Sequence, residues 1–311
     1  MSYIRSRRAR IRSSRKNKRG VDLFILVASA VILFMLLILS APGISGSLLT
    51  FASPALSEKS NVGTEQSSET RITLKPKEAQ ANTDTKASLP LSIGGSDSPT
   101  ILIYHTHALE AYTPTEKYPY NERGGTWRTA DNTRNVVAVG ELLAQELRSY
   151  GFNVIHDTTN HEPPKLSTAY ERSLETMEKY KKSYPTIEMF IDLHRDAAGS
   201  KSTGDYCVID GEKTARIMFV VGTGKGATGT GYNEMPDFES NYALACALTD
   251  YLRGIDSGLV REIRVKKGRY NQHMSSHCIL AEIGHNMNTL EEAFSAVKHL
   301  AKAIAHEAGA V

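Results

Sequence analysis

The stretch that decides the fold runs from residue 100 to residue 155. It opens with Thr100-Ile-Leu-Ile-Tyr104, a continuous apolar run that passes straight into His105-Thr-His107-Ala-Leu-Glu110. Val136, Val137, Val139, Leu142, Leu143 and Leu147 then recur at helical spacing, with Gly151 placed to stop the helix. Phe152-Asn-Val-Ile155 follows as a second short apolar run. Strand, helix, strand is the unit that builds parallel sheets.

The pattern repeats toward the C-terminus. Ala169–Tyr184 reads as a charged helix ended by Pro185, and Ile187–Leu193 as a third strand. Val208–Ile209 and Ile217–Val221 read as further strands, with a hairpin around Asp210-Gly211. Tyr242–Leu252 is helical, Val260–Val265 and Cys278–Ile283 are strands, and Thr289-Leu-Glu-Glu292 is a capping box that starts a closing helix. The expectation is a three-layer α/β sandwich with a mostly parallel sheet over residues 98–311. Those 214 residues are enough for one core.

Upstream the texture differs. Residues 42–97 are rich in Ser, Thr, Lys, Glu, Ala and Gly, with Phe51 the sole aromatic, and read as a disordered linker. Leu23–Ala41 is an uncharged run of 19 residues, long enough to span the ~30 Å hydrocarbon core as a transmembrane anchor. Nine basic residues and no acid lie within residues 1–20. The positive-inside rule makes residues 1–22 a cytoplasmic tail and places the C-terminal domain outside the cell membrane, on a single-pass anchor. A cleaved signal peptide is the competing reading, with small-residue stretches at Ala41-Pro42-Gly43 and Ser45-Gly46-Ser47. The whole chain has 37 basic and 34 acidic residues. Setting the tail aside leaves 28 against 34, a net of −6, which argues against nucleic acid as a partner. Three scattered cysteines make neither a disulfide framework nor a cysteine zinc module.

Three of the strands end in residues suited to a metal. They are His105-Thr-His107-Ala-Leu-Glu110, Asp192-Leu-His194-Arg-Asp196 and Glu282-Ile-Gly-His285. In open α/β sheets ligands gather at the carboxyl ends of strands. His107, Glu110 and His194 would supply two imidazoles and a carboxylate and leave one position for water, the pattern of a catalytic zinc site. His105 and His107 would point the same way in an extended segment, so either could ligate. His107 has Glu110 as partner, and His105 then lines the site as a substrate contact. Glu282, in an apolar run, would move a proton as general base and acid. Asp192 or Asp196 would orient an imidazole. Arg195 is placed to steady an oxyanion, and Arg269 and Asn271 to hold substrate. A bare His-x-x-Glu pair is common by chance; the coincidence of three such sets at strand ends gives it weight. His156, His161, His299 and His306 read as structural or surface residues, and His273 and His277 as lesser substrate contacts.

Several of these blocks, in this order, resemble the stage II sporulation protein P family. They are Ile103-Tyr-His-Thr-His107-x-x-Glu-Ala-Tyr112, Asn135-Val-Val-Ala-Val-Gly140, His156-Asp-Thr-Thr159, Ile191-Asp-Leu-His194-Arg-Asp-Ala197, Val220-Val-Gly-Thr223, Arg269-Tyr-Asn-Gln272, and Glu282 with Asn288-Thr-Leu-Glu-Glu292. That family is similar to the zinc-dependent N-acetylmuramoyl-L-alanine amidases and, more distantly, to zinc carboxypeptidases. The resemblance implies an amidase-like fold and Zn2+ as cofactor. It implies hydrolysis of peptidoglycan at the outer membrane face during engulfment in sporulation, by amidase and endopeptidase cleavage. It also implies partnership with a membrane-bound lytic transglycosylase and a membrane scaffold. The ligands it implies are His107 (or His105), Glu110 and His194, with Glu282 catalytic. The amidases take their glutamate from farther along the chain, which makes Asp131 the alternative to Glu110. A zinc peptidase or carboxypeptidase on wall peptides, and a non-catalytic wall-binding scaffold, are the competing functions. A scaffold would have no use for the Glu282 carboxylate.

Overall fold

A computed structural model describes residues 98–122, 125–199, 202–226 and 233–311. The tail, anchor and linker expected over residues 1–22, 23–41 and 42–97 lie outside the described residues. Among the described residues no helix is long and apolar enough to cross a membrane.

The elements follow the expected alternation. In order they are β1 (Ile101–Tyr104), α1 (Val136–Ser149), β2 (Val154–His156), α2 (Ala169–Ser183), β3 (Met189–Asp196), β4 (Tyr206–Ile209), β5 (Glu212–Ala215), β6 (Ile217–Gly222), α3 (Phe238–Ile255), β7 (Arg264–Lys266), β8 (His277–His285) and α4 (Leu290–Glu307). Helix starts are capped as the sequence prescribes. Asn135 accepts from Val137 N–H at α1, and Thr289 with Glu292 forms a reciprocal capping box at α4.

The main sheet has the order β2-β1-β3-β8-β6-β7. The first four strands are parallel, β6 runs antiparallel to β8, and β7 is parallel to β6. The sheet is therefore mostly parallel, and β1, β3 and β8 open at one edge. Side chains alternate across it. Ile101, Ile103, Met189, Ile191, Ile279 and Ala281 join the apolar faces of α1, α3 and α4 in the larger core. Leu102, Tyr104, Phe190 and Cys278 face the other way, against Met177 of α2. Each fully buried aliphatic side chain here contributes roughly 1.5–3 kcal/mol.

Two details differ from expectation. The hairpin at Asp210-Gly211 exists, with φ of 51° and 83°, but it joins β4 to β5. β6 instead enters the main sheet beside β8. The strand expected at Val260–Val265 is reduced to β7 and a single bridge from Val260 to Ile217. Arg261 N–H still donates to Ile217 O (2.7 Å), but Ile217 faces Val260 whereas Val220 faces Arg264, so one extra residue interrupts the pairing between them.

Candidate active site

β1 stops at Tyr104, and the chain turns sharply over Thr106–Leu109. Glu110 N–H donates to the His107 carbonyl (3.2 Å), so His-x-x-Glu closes a turn that brings both side chains to one place. Glu110 is fixed from outside as well. Its carbonyl accepts from Val136 N–H at the start of α1 (2.9 Å), and its carboxylate accepts from Arg195 N–H (3.1 Å). On β3 and β8, His194 lies directly opposite Glu282. Partners in register share a face, so the imidazole and the carboxyl are neighbours on the α2 side. Glu110 Oε2 is 3.3 Å from His194 Nδ1, and the rings of His107 and His194 meet edge to face at 5.4 Å.

Asp192 closes the cluster from below. It accepts from Thr106 N–H (2.8 Å) and Thr106 Oγ1–H (2.7 Å), and its Oδ1 lies 2.8 Å from His194 Nε2. That last pair attracts as charges but is out of line for a hydrogen bond. His107 Nδ1, His194 Nε2 and Glu282 Oε2 are all buried with no hydrogen-bond partner among the described residues. Orphaned buried polar atoms are rare and call for an explanation.

The electrostatics follow from crowding. Burial raises Glu282 to about 8; Glu110 and Asp196 push it the same way, against His194 and Arg195. Burial favours neutral His194, but Asp192 and Glu110 outweigh it and hold the imidazole well above its ordinary range. Burial likewise opposes ionisation of Glu110 and Asp192, yet His194 and their other partners keep both below the usual carboxylate value. His107 is lowered by burial and by His194.

His107, Glu110, His194 and Glu282 are thus brought together. His105 is not part of the group. It is buried on the opposite side of the chain, donating from Nδ1 to Leu193 O (2.8 Å) and meeting His156 Nε2 through Nε2 (3.0 Å). The chain leaves extended geometry at residue 105, so the two histidines diverge. Arg195 does not face the site either. By strand alternation it points away from His194, and its guanidinium donates to the carbonyls of Ala111 (2.9 Å) and Trp127 (3.0 Å). Its part is to hold the loop after β1 and, through its backbone, Glu110. Asp131 is exposed, and its carboxylate accepts from Thr133 N–H (2.9 Å) and Thr133 Oγ1–H (2.7 Å). Asp196 pairs with Arg261 and Arg264. Asn271 spends its amide on Tyr170 O (2.9 Å) and Ser173 Oγ (3.1 Å), and Arg269 lines a neighbouring groove. His156 and His161 are structural as expected; His161 Nδ1 donates to His105 O (2.9 Å).

Sequence reasoning passed over Tyr170 and Tyr270. The Tyr170 ring stands edge-on to His107 at 5.8 Å and to Tyr270 at 5.6 Å. Both border a groove of about 470 Å³ between α2 and residues 268–271. Thr106, Ser173 and Asn271 link Asp192 to that groove through successive hydrogen bonds. The Arg269-Tyr-Asn-Gln272 block was the only signal in the sequence.

Among the described residues no three His, Cys, Asp or Glu side chains already surround one point suited to a metal ion. The donor chemistry nonetheless fits a dication. Two neutral-capable imidazoles and a carboxylate face one another, and orphaned atoms sit on His107 and His194.

A family model described as Stage II sporulation protein P (SpoIIP) matches residues 48–305. The chain is 28% identical to Stage II sporulation protein P of Bacillus subtilis (strain 168) over 224 residues, 68% of this chain and 52% of that protein. It therefore spans about half the length of the curated relative it matches. Among solved structures it is similar to N-acetylmuramoyl-L-alanine amidase AmiC2 of Nostoc punctiforme, at 16% identity and TM-score 0.40, covering 69% of this chain and 97% of that one. It is also similar to the catalytic domain of the amidase CwlV from Bacillus (Paenibacillus) polymyxa var. colistinus, at 14% identity and TM-score 0.38, covering 67% and 95%.

Proposed function

Since the chain belongs to the stage II sporulation protein P family, we propose that it is a membrane-anchored peptidoglycan hydrolase, a zinc-dependent N-acetylmuramoyl-L-alanine amidase acting in engulfment. The observation that carries this reading is the meeting of His107, Glu110 and His194 beside Glu282, with three buried atoms left without partners. His107, Glu110 and His194 would hold the ion. When bound, zinc would polarise the scissile carbonyl and make water a better nucleophile.

The rest is the work of this chain's own residues. Glu282 accepts the proton of the attacking water and returns it to the departing nitrogen. Its burial in an apolar strand raises its affinity for the proton it returns to the nitrogen, and a cation held by His107, Glu110 and His194 would favour the ionised form that first accepts one. Asp192, braced by Thr106, sets its negative charge against the His194 imidazole. Arg195 N–H fixes the Glu110 carboxylate. The reading extends to endopeptidase cleavage of cross-links, and to a membrane-bound lytic transglycosylase and a membrane scaffold as partners, on the family resemblance.

Mass spectrometry of products from purified wall material tests it. The expected products are glycan with a free muramic lactyl carboxyl and peptide with N-terminal L-Ala. Cleavage only inside the peptide would replace the amidase by a peptidase, and no release in the presence of zinc would overturn the hydrolase reading.

A further inference from the structure

The segment Arg269-Tyr-Asn-Gln272 takes no part in the chemistry above, yet the fold constrains it heavily. Tyr270 and Asn271 are consecutive non-glycine residues in the left-handed region, with φ of 50° and 53°. Residues with a β-carbon adopt that region reluctantly, and an outlier of this kind points to a functional demand. The surroundings hold the distortion in place. Asn271 is tied to α2 through Tyr170 O and Ser173 Oγ. Gln272 donates to Val220 O (2.8 Å) and accepts from Gly222 N–H (2.7 Å), and its own carbonyl accepts from Asn241 (2.9 Å). Gly268 and Gly222 leave room for the ring: β-carbons there would lie 2.7 Å from Tyr270 Cε2 and 2.8 Å from its Cδ2.

All of these features fix one thing, the position of the Tyr270 ring. That ring packs edge-on against Tyr170, which in turn packs against His107. Burial, and after it the charge of Glu282, hold its phenol above the ordinary range. Its hydroxyl has no hydrogen-bond partner among the described residues, and Tyr270 is one of the residues that line the groove. Tyr170, Tyr270, Glu171, Glu175 and Arg269 are among the residues that line the groove. A peptide carries amine and carboxylate groups that can pair with such charges, and a row of carbonyls that can accept from a phenol.

We propose that Tyr270 touches the substrate: its phenol hydroxyl donates a hydrogen bond to a carbonyl oxygen of a peptide arm lying in the groove between α2 and residues 268–271. This rests on the reading of the chain as a peptidoglycan hydrolase, so the test is a binding measurement that needs no turnover. The full-length chain in detergent, carrying Glu282→Gln, is titrated calorimetrically with a muropeptide monomer, with and without Tyr270→Phe. Phenylalanine keeps the ring and its packing and deletes only the hydroxyl. Affinity for the muropeptide is expected to fall roughly three- to tenfold, the range of one net hydrogen bond. Binding of the peptide-free disaccharide and the unfolding midpoint are expected to stay unchanged. Equal affinity in both proteins, an equal loss for the disaccharide, or no binding by the parent overturns the proposal. If the wild-type chain fails to hydrolyse wall but Tyr270→Phe still weakens binding, the hydrolase reading falls and the groove assignment stands.

Discussion

Glu282 and His105 are both buried titratable residues, and their neighbours give them opposite roles. Glu282 lies opposite His194 with one oxygen unpartnered, so it has a proton to exchange and a place to exchange it. Glu282→Gln keeps shape and cannot carry that proton. Hydrolysis is expected to fall roughly 10²–10⁴-fold at unchanged zinc content. Near-normal turnover would place the base elsewhere. His105 is saturated, and burial with its neighbour His156 lowers it to about 3. Its ordinary value is near 6.5, so between pH 6.5 and about 3 the unfolded chain binds the proton that the folded chain refuses. Stability attributable to His105 is complete above pH 6.5 and drains as pH falls through that window. Chemical unfolding at pH 6 and pH 5 should give His105→Gln a shallower acid dependence than wild type, by up to about 1.4 kcal/mol per pH unit. Parallel curves would contradict this. From the sequence, His105 and His107 looked alike, because nothing in the letters marks where the chain leaves the strand. Arg195 was different: the oxyanion role expected of it ran against strand alternation, which separates it from His194 on β3.

At the scale of elements, the helices and strands were legible wherever apolar spacing was regular, as in α1, α4 and β8. Tertiary partners decided the rest. One extra residue between Val260 and Arg264 broke the strand expected there, and β6 was drawn into the main sheet rather than the hairpin. The left-handed turn at Tyr270 was invisible because no glycine announces it. One packing relation between elements is open to a direct test. α1 crosses β1 and β2 at Gly140, where a β-carbon would lie 2.7 Å from His105 Nε2 and 2.8 Å from His156 Nε2. His156 is itself tied to Glu141 of α1, Nδ1 to Oε2 at 3.0 Å, so neither ring can retreat freely. Gly140→Ala improves helix propensity, yet is expected to destabilise the domain by about 1–3 kcal/mol through overpacking. An unfolding midpoint at or above wild type would show that the rings yield.

For the whole molecule, the parallel sheet brings the carboxyl ends of β1, β3 and β8 to one edge, and this alone made a site of three distant segments legible. The apolar run at residues 23–41 behind nine basic residues leads to the expectation that residues 98–311 stand outside the membrane. Protease added to intact cells should remove the C-terminal domain and spare the tail. A fully protected chain would reverse the topology, and a chain free in the medium would favour a cleaved signal. The central claim, that His107, Glu110 and His194 form one metal-binding centre, is tested most directly by the zinc content of the purified chain, measured beside His194→Ala. The account predicts about one zinc per wild-type chain and essentially none in the variant. A variant that keeps full zinc, or a wild-type chain that binds none, would contradict it.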